Sequence, residues 1–421
     1  MTTRVISKRV TGSQVSGSII APPSKSMMIR GVVAGLLAKG TSLLRNPSYC
    51  DDALAAMEVA RGLGAAIETS REGVVIHGGS EIKKKSLNCQ ESGLSIRMFA
   101  AVAALHNEEI LLEGTGSLIG RPVNMLVNPL KELGVGIETT NGYLPIRVKG
   151  PMKGGETKVD GSLSSQFLTG LLMSLPLVGA DSKISIHNLK SKPYIDMTIR
   201  LMKDFGVTVE HADYEEFFIE GNQSYKPREY IVEGDWSGAA FLLVAGAIGG
   251  ELLVTNLDTS SNQADIKVLE ALRMAGAKLE INNNSVKVSQ GNLKSFSMDI
   301  THCPDLAPPL VALASFCKGK SRLTGAKRLF AKESNRAKTL QQEFAKLGIK
   351  VDIEEDEIFI TGGKIRSGDV YSHGDHRIAM AGAITAIGAK VPIIIEKAES
   401  VAKSWPGFFD DLIKIGGIVN E

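Results

Sequence analysis

Basic side chains stand where the apolar segments of this chain of 421 residues begin. Lys25 and Arg30 occur in the segment PPSKSMMIR, and apolar residues surround Arg30 on every side. A buried arginine needs an anionic partner, which is either a structural carboxylate or a bound phosphate or carboxylate. We expect a bound anion, because neither Lys25 nor Arg30 has an obvious protein partner in its apolar helix.

The same kind of position recurs along the chain. Seven basic side chains occupy equivalent turns: Lys25, Arg30, Arg121, Lys332, Arg336, Arg377 and Lys403. Helix N-termini leave backbone N–H groups unpaired and carry partial positive charge, so they bind anions. Asp305 and Glu333 stand among these cations, and although each alone would be explained as a helix cap, together they are candidates for a general acid and base.

Neutral donors complete the set of candidate residues. Ser164, Ser165 and Gln166 open one apolar helix in GSLSSQFL, and Ser191 and Tyr194 occur in LKSKPYID. Ordinary capping explains the serines taken alone. Beside cations and carboxylates, such donors are also suited to orienting a polyol or a sugar-like ring.

These residues belong to a unit that the chain repeats six times, roughly every 70 residues. Each unit opens with a polar turn and an apolar helix, and the openings start at Pro22, Glu91, Gly161, Gly234, Cys303 and Gly374. A helix that is apolar all round lies inside a domain, so its polar start must lie where the packed interior ends. The rest of each unit predicts a strand, an amphipathic helix with a glycine stop, and a hairpin.

Each unit therefore reads as βαβαββ, which predicts an α/β protein with two domains of three units. We expect one domain from residues 1–22 and 234–421, and the other from residues 23–233. The candidate site would lie in the cleft between them, which should close on an anionic substrate. The segment RVISKRVTGSQVSGSII is predicted as a strand that pairs with the sixth unit, because that unit ends after WPGFFDDLIKIGG without its own hairpin.

Composition excludes several classes of protein. The chain has 48 basic and 46 acidic residues, and a net charge of +2 argues against a broad nucleic-acid or membrane surface. The four cysteines form no CxxC pair and predict free thiols in a reducing compartment, without a zinc site. No signal peptide is found, so we expect a cytoplasmic protein. No GxxxxGK[ST], GxGxxG or HExxH motif is found, so we expect no cofactor and no metal. We also expect a monomer.

Eight segments together resemble one known family. The chain contains, in order, PPSKSMMIR, GRP, DGSLSSQFLTGLLM, SKPYID, VEGD, KES-x-R, GDHRIAM and AKSWPGFF, and these are similar to the motifs of the 5-enolpyruvylshikimate-3-phosphate synthases over essentially the whole chain. The resemblance implies two domains of three βαβαββ units, an inside-out α/β barrel with buried parallel helices. It also implies transfer of the enolpyruvyl group of phosphoenolpyruvate to the 5-hydroxyl of shikimate-3-phosphate, with release of phosphate, in aromatic amino-acid biosynthesis.

The resemblance also assigns roles to individual residues. It implies that shikimate-3-phosphate is bound by Lys25, Ser26, Arg30, Ser164, Ser165, Gln166, Ser191, Tyr194, Asp305 and Lys332. It implies that phosphoenolpyruvate is bound by Lys25, Gly93, Arg121, Gln166, Arg336, Arg377 and Lys403. The catalytic residues implied are Asp305, which takes the proton of the 5-hydroxyl, Glu333 near the enolpyruvyl carbons, and Lys25.

The chain departs from the family pattern in the loop that carries Gly93. Glu91 stands where the family usually has Asn, and Leu94 where it usually has Thr. A carboxylate at position 91 either adds negative charge beside phosphoenolpyruvate, points away, or pairs with a neighbouring base. Arg328 stands where an Asn is common on the shikimate side, and Asn335 where an Asp is usual.

Two other functions are weighed against this one. The sister enolpyruvyl transferase that acts on UDP-N-acetylglucosamine typically has a Cys in the loop before its Arg-Pro, whereas the loop GTGSLIGRP of this chain has Ser117. A non-catalytic anion-binding or RNA-binding relative is disfavoured by the near-neutral charge and by the presence of both Asp305 and Glu333.

Overall fold

A computed structural model describes residues 6–12 and 14–421. Within these residues the chain forms strands β1 (Ser7–Gly12), β2 (Ser18–Ile20), β3 (Gly40–Arg45), β4 (Ala66–Thr69), β5 (Val74–Gly78), β6 (Ser86–Asn88), β7 (Glu109–Glu113), β8 (Gly136–Thr140), β9 (Tyr143–Lys149), β10 (Glu156–Asp160), β11 (Ser182–His187), β12 (Glu210–Ala212), β13 (Glu216–Ile219), β14 (Glu229–Ile231), β15 (Glu251–Thr255), β16 (Lys278–Asn282), β17 (Ser285–Ser289), β18 (Ser297–Asp299), β19 (Lys320–Thr324), β20 (Lys350–Glu354), β21 (Glu357–Thr361), β22 (Gly368–Tyr371), β23 (Ile393–Glu396) and β24 (Gly417–Asn420).

The α-helices alternate between apolar inner helices and amphipathic outer helices, as the sequence predicts. The inner helices are α1 (Lys25–Leu37), α3 (Gly93–Ala103), α5 (Gln166–Ser174), α7 (Trp236–Gly249), α9 (Ala307–Ser315) and α11 (His376–Ala389). The outer helices are α2 (Asp51–Gly62), α4 (Val127–Glu132), α6 (Lys192–Asp204), α8 (Val268–Ala275), α10 (Arg336–Lys346) and α12 (Phe408–Lys414). Every residue of α7 except Ser237 is buried, which confirms that an inner helix lies within the packed interior.

The glycine stops predicted for the outer helices are confirmed. All six outer helices are followed by a glycine with positive φ, where a side chain would be strained: Gly64, Gly134, Gly206, Gly276, Gly348 and Gly416. The helix predicted from RPVNMLVNPLKELG is shorter than expected. A 3₁₀ turn, Asn124–Leu126, precedes α4, and Pro129 lies in the first turn of α4, where its missing N–H breaks no helical hydrogen bond.

Six four-stranded sheets follow from the repeat. Their strand orders are β14-β3-β5-β4, β6-β7-β9-β8, β10-β11-β13-β12, β2-β15-β17-β16, β18-β19-β21-β20 and β22-β23-β1-β24. In the second sheet, for example, β6 is parallel to β7, while β9 is antiparallel to both β7 and β8. This is the pairing expected of a βαβαββ unit whose last two strands form a hairpin.

The first and fourth repeats depart from the predicted βαβαββ order. In each of them, the strand that precedes the inner helix in the sequence pairs in the sheet of the other repeat. β2 precedes α1 in the sequence, yet it lies parallel to β15 of the fourth unit. β14 precedes α7, yet it lies parallel to β3 of the first unit. The two crossing segments run side by side, since the Ser24 N–H donates to the Glu233 carbonyl at 2.8 Å and the Asp235 N–H to the Pro22 carbonyl at 2.7 Å.

The N-terminal segment pairs with the sixth unit, as predicted, but it is not one strand. β1 lies between β23 and β24, with Val10 opposite both Ile393 and Val419. β1 ends at Gly12, and β2 belongs to the fourth sheet, where it pairs with β15. The predicted strand also includes residues 4–5 and 13, which lie outside the described residues. The sixth repeat continues after its last helix, α12, with β24. Together with β1, this strand takes the place of the hairpin that the other repeats form.

The chain divides into two compact units. The discontinuous unit comprises Met1–Ser24 and Glu233–Glu421, and the inserted unit comprises Lys25–Val232. The inserted unit contains α1, α3 and α5 as inner helices, and the discontinuous unit contains α7, α9 and α11. Candidate residues lie at the starts of the inner helices α1, α3, α5 and α11 and of the outer helices α6 and α10.

Candidate functional site

In the inserted unit, the first turn of α1 carries Lys25. Its Nζ lies 2.9 Å from Oδ2 of Asp52, in the first turn of the outer helix α2. The expectation that Lys25 lacks a protein partner is therefore wrong. Asp52 follows the next strand along the chain, and local sequence does not reveal this contact because it spans 27 residues.

Arg30 is fully buried and has only neutral oxygen atoms as hydrogen-bond acceptors among the described residues. Its guanidinium donates to Thr198 Oγ1 at 2.9 Å, to the Ser26 carbonyl at 2.9 Å and to the Tyr194 carbonyl at 3.1 Å, with a longer contact of 3.5 Å to Thr169 Oγ1. Burial lowers its pKa to about 10. Arg30 thus joins α1, α5 and α6, and it pairs with no carboxylate of residues 6–12 and 14–421.

Arg121 lies against the start of α3. A Cβ atom placed on Gly93 would stand 2.3 Å from Arg121 Nη1 and 2.7 Å from its Cζ, so only glycine leaves room for the guanidinium. Arg121 is buried, and its guanidinium makes no hydrogen bond or ion pair with the described residues. A buried cation that is not paired by the surrounding side chains favours an anionic ligand. The structure brings Gly93 and Arg121 together, as the resemblance implies.

Arg97 connects the same helix to α5, and sequence reasoning left it without a role. Its Nη1 donates to Gln166 Oε1 at 2.7 Å and its Nη2 to the Pro122 carbonyl at 3.1 Å. Arg97 therefore holds Gln166 by its carbonyl oxygen and leaves the amide NH₂ as the donor group. The signal in the sequence was an arginine within a helix whose other residues are all apolar or small.

The hydroxyl donors of this unit lie at the starts of α5 and α6. Ser164 Oγ accepts from the Gln166 N–H at 3.2 Å, and Ser165 is the buried N-cap residue of α5. Ser191 is the N-cap residue of α6, in the left-handed backbone conformation with φ of 57°. Tyr194 stands in the first turn of α6, and its carbonyl accepts from Arg30. These residues are thus gathered at the N-terminal ends of neighbouring helices.

Glu91 is hydrogen-bonded to the loop that precedes Arg121. Its Oε2 accepts from the Ser117 N–H at 2.8 Å and from the Ser117 hydroxyl at 2.7 Å. The departure at position 91 thus places a carboxylate against Ser117 in the loop before Arg121.

In the discontinuous unit, the candidate residues form one ion network around Arg336. Arg336 is fully buried at the start of α10. It donates to Asp375 Oδ2 at 2.9 Å and to Asp305 Oδ1 at 2.8 Å, and it also pairs with Glu333. Burial acts to lower the pKa of Arg336, but Asp375, Glu333 and Asp305 outweigh it and raise that pKa.

Asp305 contacts three cations. Besides Arg336, Lys332 Nζ lies 3.2 Å from its Oδ1 and Arg377 Nη2 lies 3.1 Å from its Oδ2. Burial lowers the pKa of Lys332 below its ordinary value, although Asp305 opposes this shift. Arg377 is buried as well, and the carboxylates near it, Asp305 first, raise its pKa against the effect of burial.

Two further carboxylates, to which the sequence assigns no role, lie in or near this network. Asp375 is the N-cap of α11, accepts from the Arg377 N–H at 3.0 Å and is fully buried beside Arg336. Asp265 is buried, accepts from the Ser237 hydroxyl with one oxygen, and has no hydrogen-bond partner for the other among the described residues. Burial and the nearby Asp305 raise its pKa to about 7.

Lys403 completes the set. Its Nζ donates to the Gly374 carbonyl at 2.7 Å, next to Asp375 in the chain. In the sequence, a helix cap cannot be distinguished from a long-range partner, so the GDHR motif points to Asp375 without its partner Arg336, and Asp265 is not distinguished at all.

The described residues give two further results. No three His, Cys, Asp or Glu side chains are grouped there as a metal ion would require. None of the helices in this part of the chain combines the length and the apolar character needed to cross a membrane.

Comparison with solved structures defines the class of the fold. An enolpyruvyl transferase of Streptomyces tendae superimposes with a TM-score of 0.80 at 14% identity, over 98% of both chains. The EPSP synthase of Acinetobacter baumannii gives a TM-score of 0.82 at 26% identity, over 99% of this chain and 100% of that chain. The predicted α/β fold class is confirmed, and the fold is that of the enolpyruvyl transferases.

Comparison of sequences defines the family within this class. The model of the family described as EPSP synthase (3-phosphoshikimate 1-carboxyvinyltransferase) matches residues 10–412. Proteins with the name 3-phosphoshikimate 1-carboxyvinyltransferase are 39% identical in Clostridium perfringens, over 98% of this chain and 99% of the relative, and 38% identical in Clostridium kluyveri, over 98% of both. This chain belongs to the EPSP synthase family.

Proposed function

We propose that this chain transfers the enolpyruvyl group of phosphoenolpyruvate to the 5-hydroxyl of shikimate-3-phosphate and releases inorganic phosphate. Membership of the EPSP synthase family, at 39% identity to a named relative over nearly the full length, supports this activity. Each unit contributes residues that the family motifs assign to the two substrates.

The observation that carries the proposal is the position of Asp305 among Lys332, Arg336 and Arg377. Three cations around one carboxylate favour its charged form. Both substrates bring phosphate and carboxylate groups, which compete for the same cations. As a substrate anion takes over part of this pairing, Asp305 becomes a better proton acceptor, so its activation depends on substrate being bound.

In the reaction, the 5-hydroxyl oxygen of shikimate-3-phosphate forms a bond to C2 of phosphoenolpyruvate while Asp305 takes the hydroxyl proton. The electron pair of the C2–C3 double bond takes a proton at C3, and Glu333 is the carboxylate assigned near these carbons. The resulting tetrahedral intermediate loses the C3 proton as the bond from C2 to the phosphate oxygen breaks, which restores the double bond. General acid–base help of this kind typically contributes about 10²–10⁴-fold to the rate.

The remaining residues bind and orient the substrates. The buried Arg121 guanidinium, which pairs with no group of the described residues, is suited to an anionic group of phosphoenolpyruvate, and Gly93 leaves the space beside it. Gln166, held through its carbonyl by Arg97, offers its amide N–H groups to a ligand. Lys25 remains a candidate although it pairs with Asp52, because a phosphate can compete for its ammonium group.

A phosphate-release assay tests the proposal. The purified chain should release inorganic phosphate only when both phosphoenolpyruvate and shikimate-3-phosphate are present. Replacing shikimate-3-phosphate by UDP-N-acetylglucosamine tests the sister activity, and omission of either substrate gives the background. Phosphate release with UDP-N-acetylglucosamine in place of shikimate-3-phosphate, or equal release with both acceptors, would overturn the assignment.

We further propose that the chain acts as a monomer in the cytoplasm. All four cysteines are buried thiols, which suits a reducing compartment. Chromatography with light scattering tests the oligomeric state.

A further inference from the structure

The loop that carries Arg121, residues Gly114–Arg121, has a tether that the family pattern does not assign. Glu91, in the turn before α3, accepts two hydrogen bonds from Ser117 with the same carboxylate oxygen, one from the backbone N–H and one from the hydroxyl. A backbone hydrogen bond also connects this turn to the loop, because the Thr115 N–H donates to the Gln90 carbonyl at 2.8 Å. We call residues 114–121 the Arg121 loop.

The contact between Glu91 and the loop is closely fitted. Gly116 has φ of 54°, and a Cβ atom there would lie 2.4 Å from the Glu91 carboxyl carbon. Both its backbone conformation and the presence of Glu91 thus require glycine at this position. The loop next forms a 3₁₀ turn, Gly116–Leu118, whose Leu118 side chain is fully buried.

The loop in turn fixes Arg121. The Arg121 N–H donates to the Leu118 carbonyl at 3.1 Å, so the end of the 3₁₀ turn determines where the side chain of Arg121 leaves the backbone. The guanidinium then lies over Gly93 and makes no bond of its own with the described residues. Its position therefore depends on the loop rather than on any direct partner.

We propose that Glu91 is a positioning residue, which holds the Arg121 loop through Ser117 so that the guanidinium stays in place for the anionic group of phosphoenolpyruvate. This inference rests on the proposed function for the identity of the anion, but not for the tether itself. Where the family usually has Asn, this chain uses a longer side chain that reaches the loop. Misplacement of a binding group by about 1 Å costs up to roughly 100-fold in rate or binding.

The test compares Glu91→Ala, Glu91→Gln and Ser117→Ala with the native protein. Glu91→Gln keeps the length of the side chain and one carbonyl acceptor, so it should retain part of the tether. Glu132→Ala is a matched control in the same unit, because one oxygen of Glu132 also accepts from a hydroxyl, that of Thr157 at 2.7 Å, and from a backbone N–H, that of Lys158 at 3.1 Å.

Two measurements are made on each variant. Hydrogen–deuterium exchange of the ligand-free protein reports on the Arg121 loop, and steady-state kinetics gives KM for phosphoenolpyruvate, KM for shikimate-3-phosphate and kcat. Glu91→Ala should speed exchange in the loop and raise KM for phosphoenolpyruvate by about tenfold or more, with a smaller change in the other two constants. Glu91→Gln should lie between Glu91→Ala and the native protein, and Glu132→Ala should change neither readout.

A double variant, Glu91→Ala with Ser117→Ala, tests whether the two residues act together. If they form one tether, the double variant should resemble Glu91→Ala, because the contact is already lost. The inference is overturned if the effects of the two single variants simply multiply, if Glu91→Ala leaves loop exchange unchanged, or if Glu91→Gln and Glu91→Ala both lower KM, as removal of a repelling charge would. If the native protein released no phosphate with both substrates present, the proposed function would be refuted. The exchange data would still show whether Glu91 holds the Arg121 loop.

Discussion

At the scale of single residues, Arg336 connects the carboxylates of the discontinuous unit. Removing a buried cation leaves Asp375 and its neighbours without their partner, and breaking a buried pair in this way typically costs about 3–5 kcal/mol. Arg336→Ala should therefore lower the free energy of unfolding by about that amount in a denaturant titration. Lys338→Ala, on the exposed face of the same helix, is the control and should change it little.

Asp305 is expected to act in proton transfer. Asp305→Asn keeps the shape and the acceptor oxygen but removes the base, so kcat should fall by about 10²–10⁴-fold. Asp299→Asn is a suitable control, because Asp299 is an exposed carboxylate that only caps the Thr301 N–H. Near-normal kcat in Asp305→Asn would exclude Asp305 as the base.

Asp265 predicts a pH dependence of stability. Burial, with Asp305 and Asp235 nearby and Arg377 opposing them, raises its pKa from 3.8 to about 7 in the folded protein. Between these values the unfolded chain releases the proton that the folded chain keeps, so this group makes the protein less stable as pH rises through the window and changes nothing further above it. Thermal unfolding from pH 4 to pH 8 should show Asp265→Asn gaining stability relative to the native protein as pH rises. A constant difference across that range would contradict the shifted pKa.

Some of the site could be predicted from residues alone, and some could not. Arg30 stands out as a charge in apolar surroundings, which local sequence shows, and Arg121 and Arg336 are basic residues at helix starts. Their partners do not stand out, since Asp375 lies 39 residues from Arg336 and is indistinguishable from an ordinary helix cap before the chain is folded. The pairing of Lys25 with Asp52 was missed for the same reason.

At the scale of elements, the start of α3 has no room for a side chain at Gly93. Gly93→Ala places a methyl group where the Arg121 guanidinium now lies, so the guanidinium must move. We expect a KM for phosphoenolpyruvate that is raised by roughly tenfold or more, with little loss of stability, because alanine favours a helix more than glycine does. Gly120→Ala is the control in the adjoining loop, as a Cβ atom there meets no atom within 4 Å. An unchanged KM would show that Arg121 does not bind this substrate.

The strand β1 lies in the middle of its sheet, although it begins near the N-terminus. Val10 is fully buried and Arg9 is exposed, as alternation along a strand requires. Val10→Ala should lower the free energy of unfolding by about 1–3 kcal/mol, whereas Arg9→Ala should change it by less than about 0.5 kcal/mol. Equal effects of the two variants in denaturant titrations would argue against this placement.

The sequence repeat predicts the type of unit well but not every connection. β2 precedes α1 in the sequence but pairs with β15, and β14 precedes α7 but pairs with β3. The first and fourth repeats therefore each take their first strand from a distant part of the chain. Periodicity along the chain identifies a strand but not the sheet that it joins. The choice depends on which neighbouring strand offers free backbone groups in the folded molecule.

At the scale of the whole molecule, the inserted unit has both of its chain ends at one sheet. Its last strand, β14, pairs with β3, near the start of the unit, and every strand of its three sheets comes from Lys25–Val232. We expect this segment, produced alone, to fold cooperatively, as circular dichroism during urea unfolding would show. A broad, non-cooperative transition would indicate that it needs the rest of the chain.

The placement of β1 also sets an order of events during synthesis on the ribosome. All the strands of the inserted unit have been made once Val232 emerges, whereas β1 must wait for β23 and for β24, which ends at Asn420. The nascent chain therefore carries an unpaired N-terminal strand through nearly the whole of its translation. The sequence of that strand, SKRVTG, has only one apolar side chain, and its two cations discourage pairing with the wrong strand while it waits.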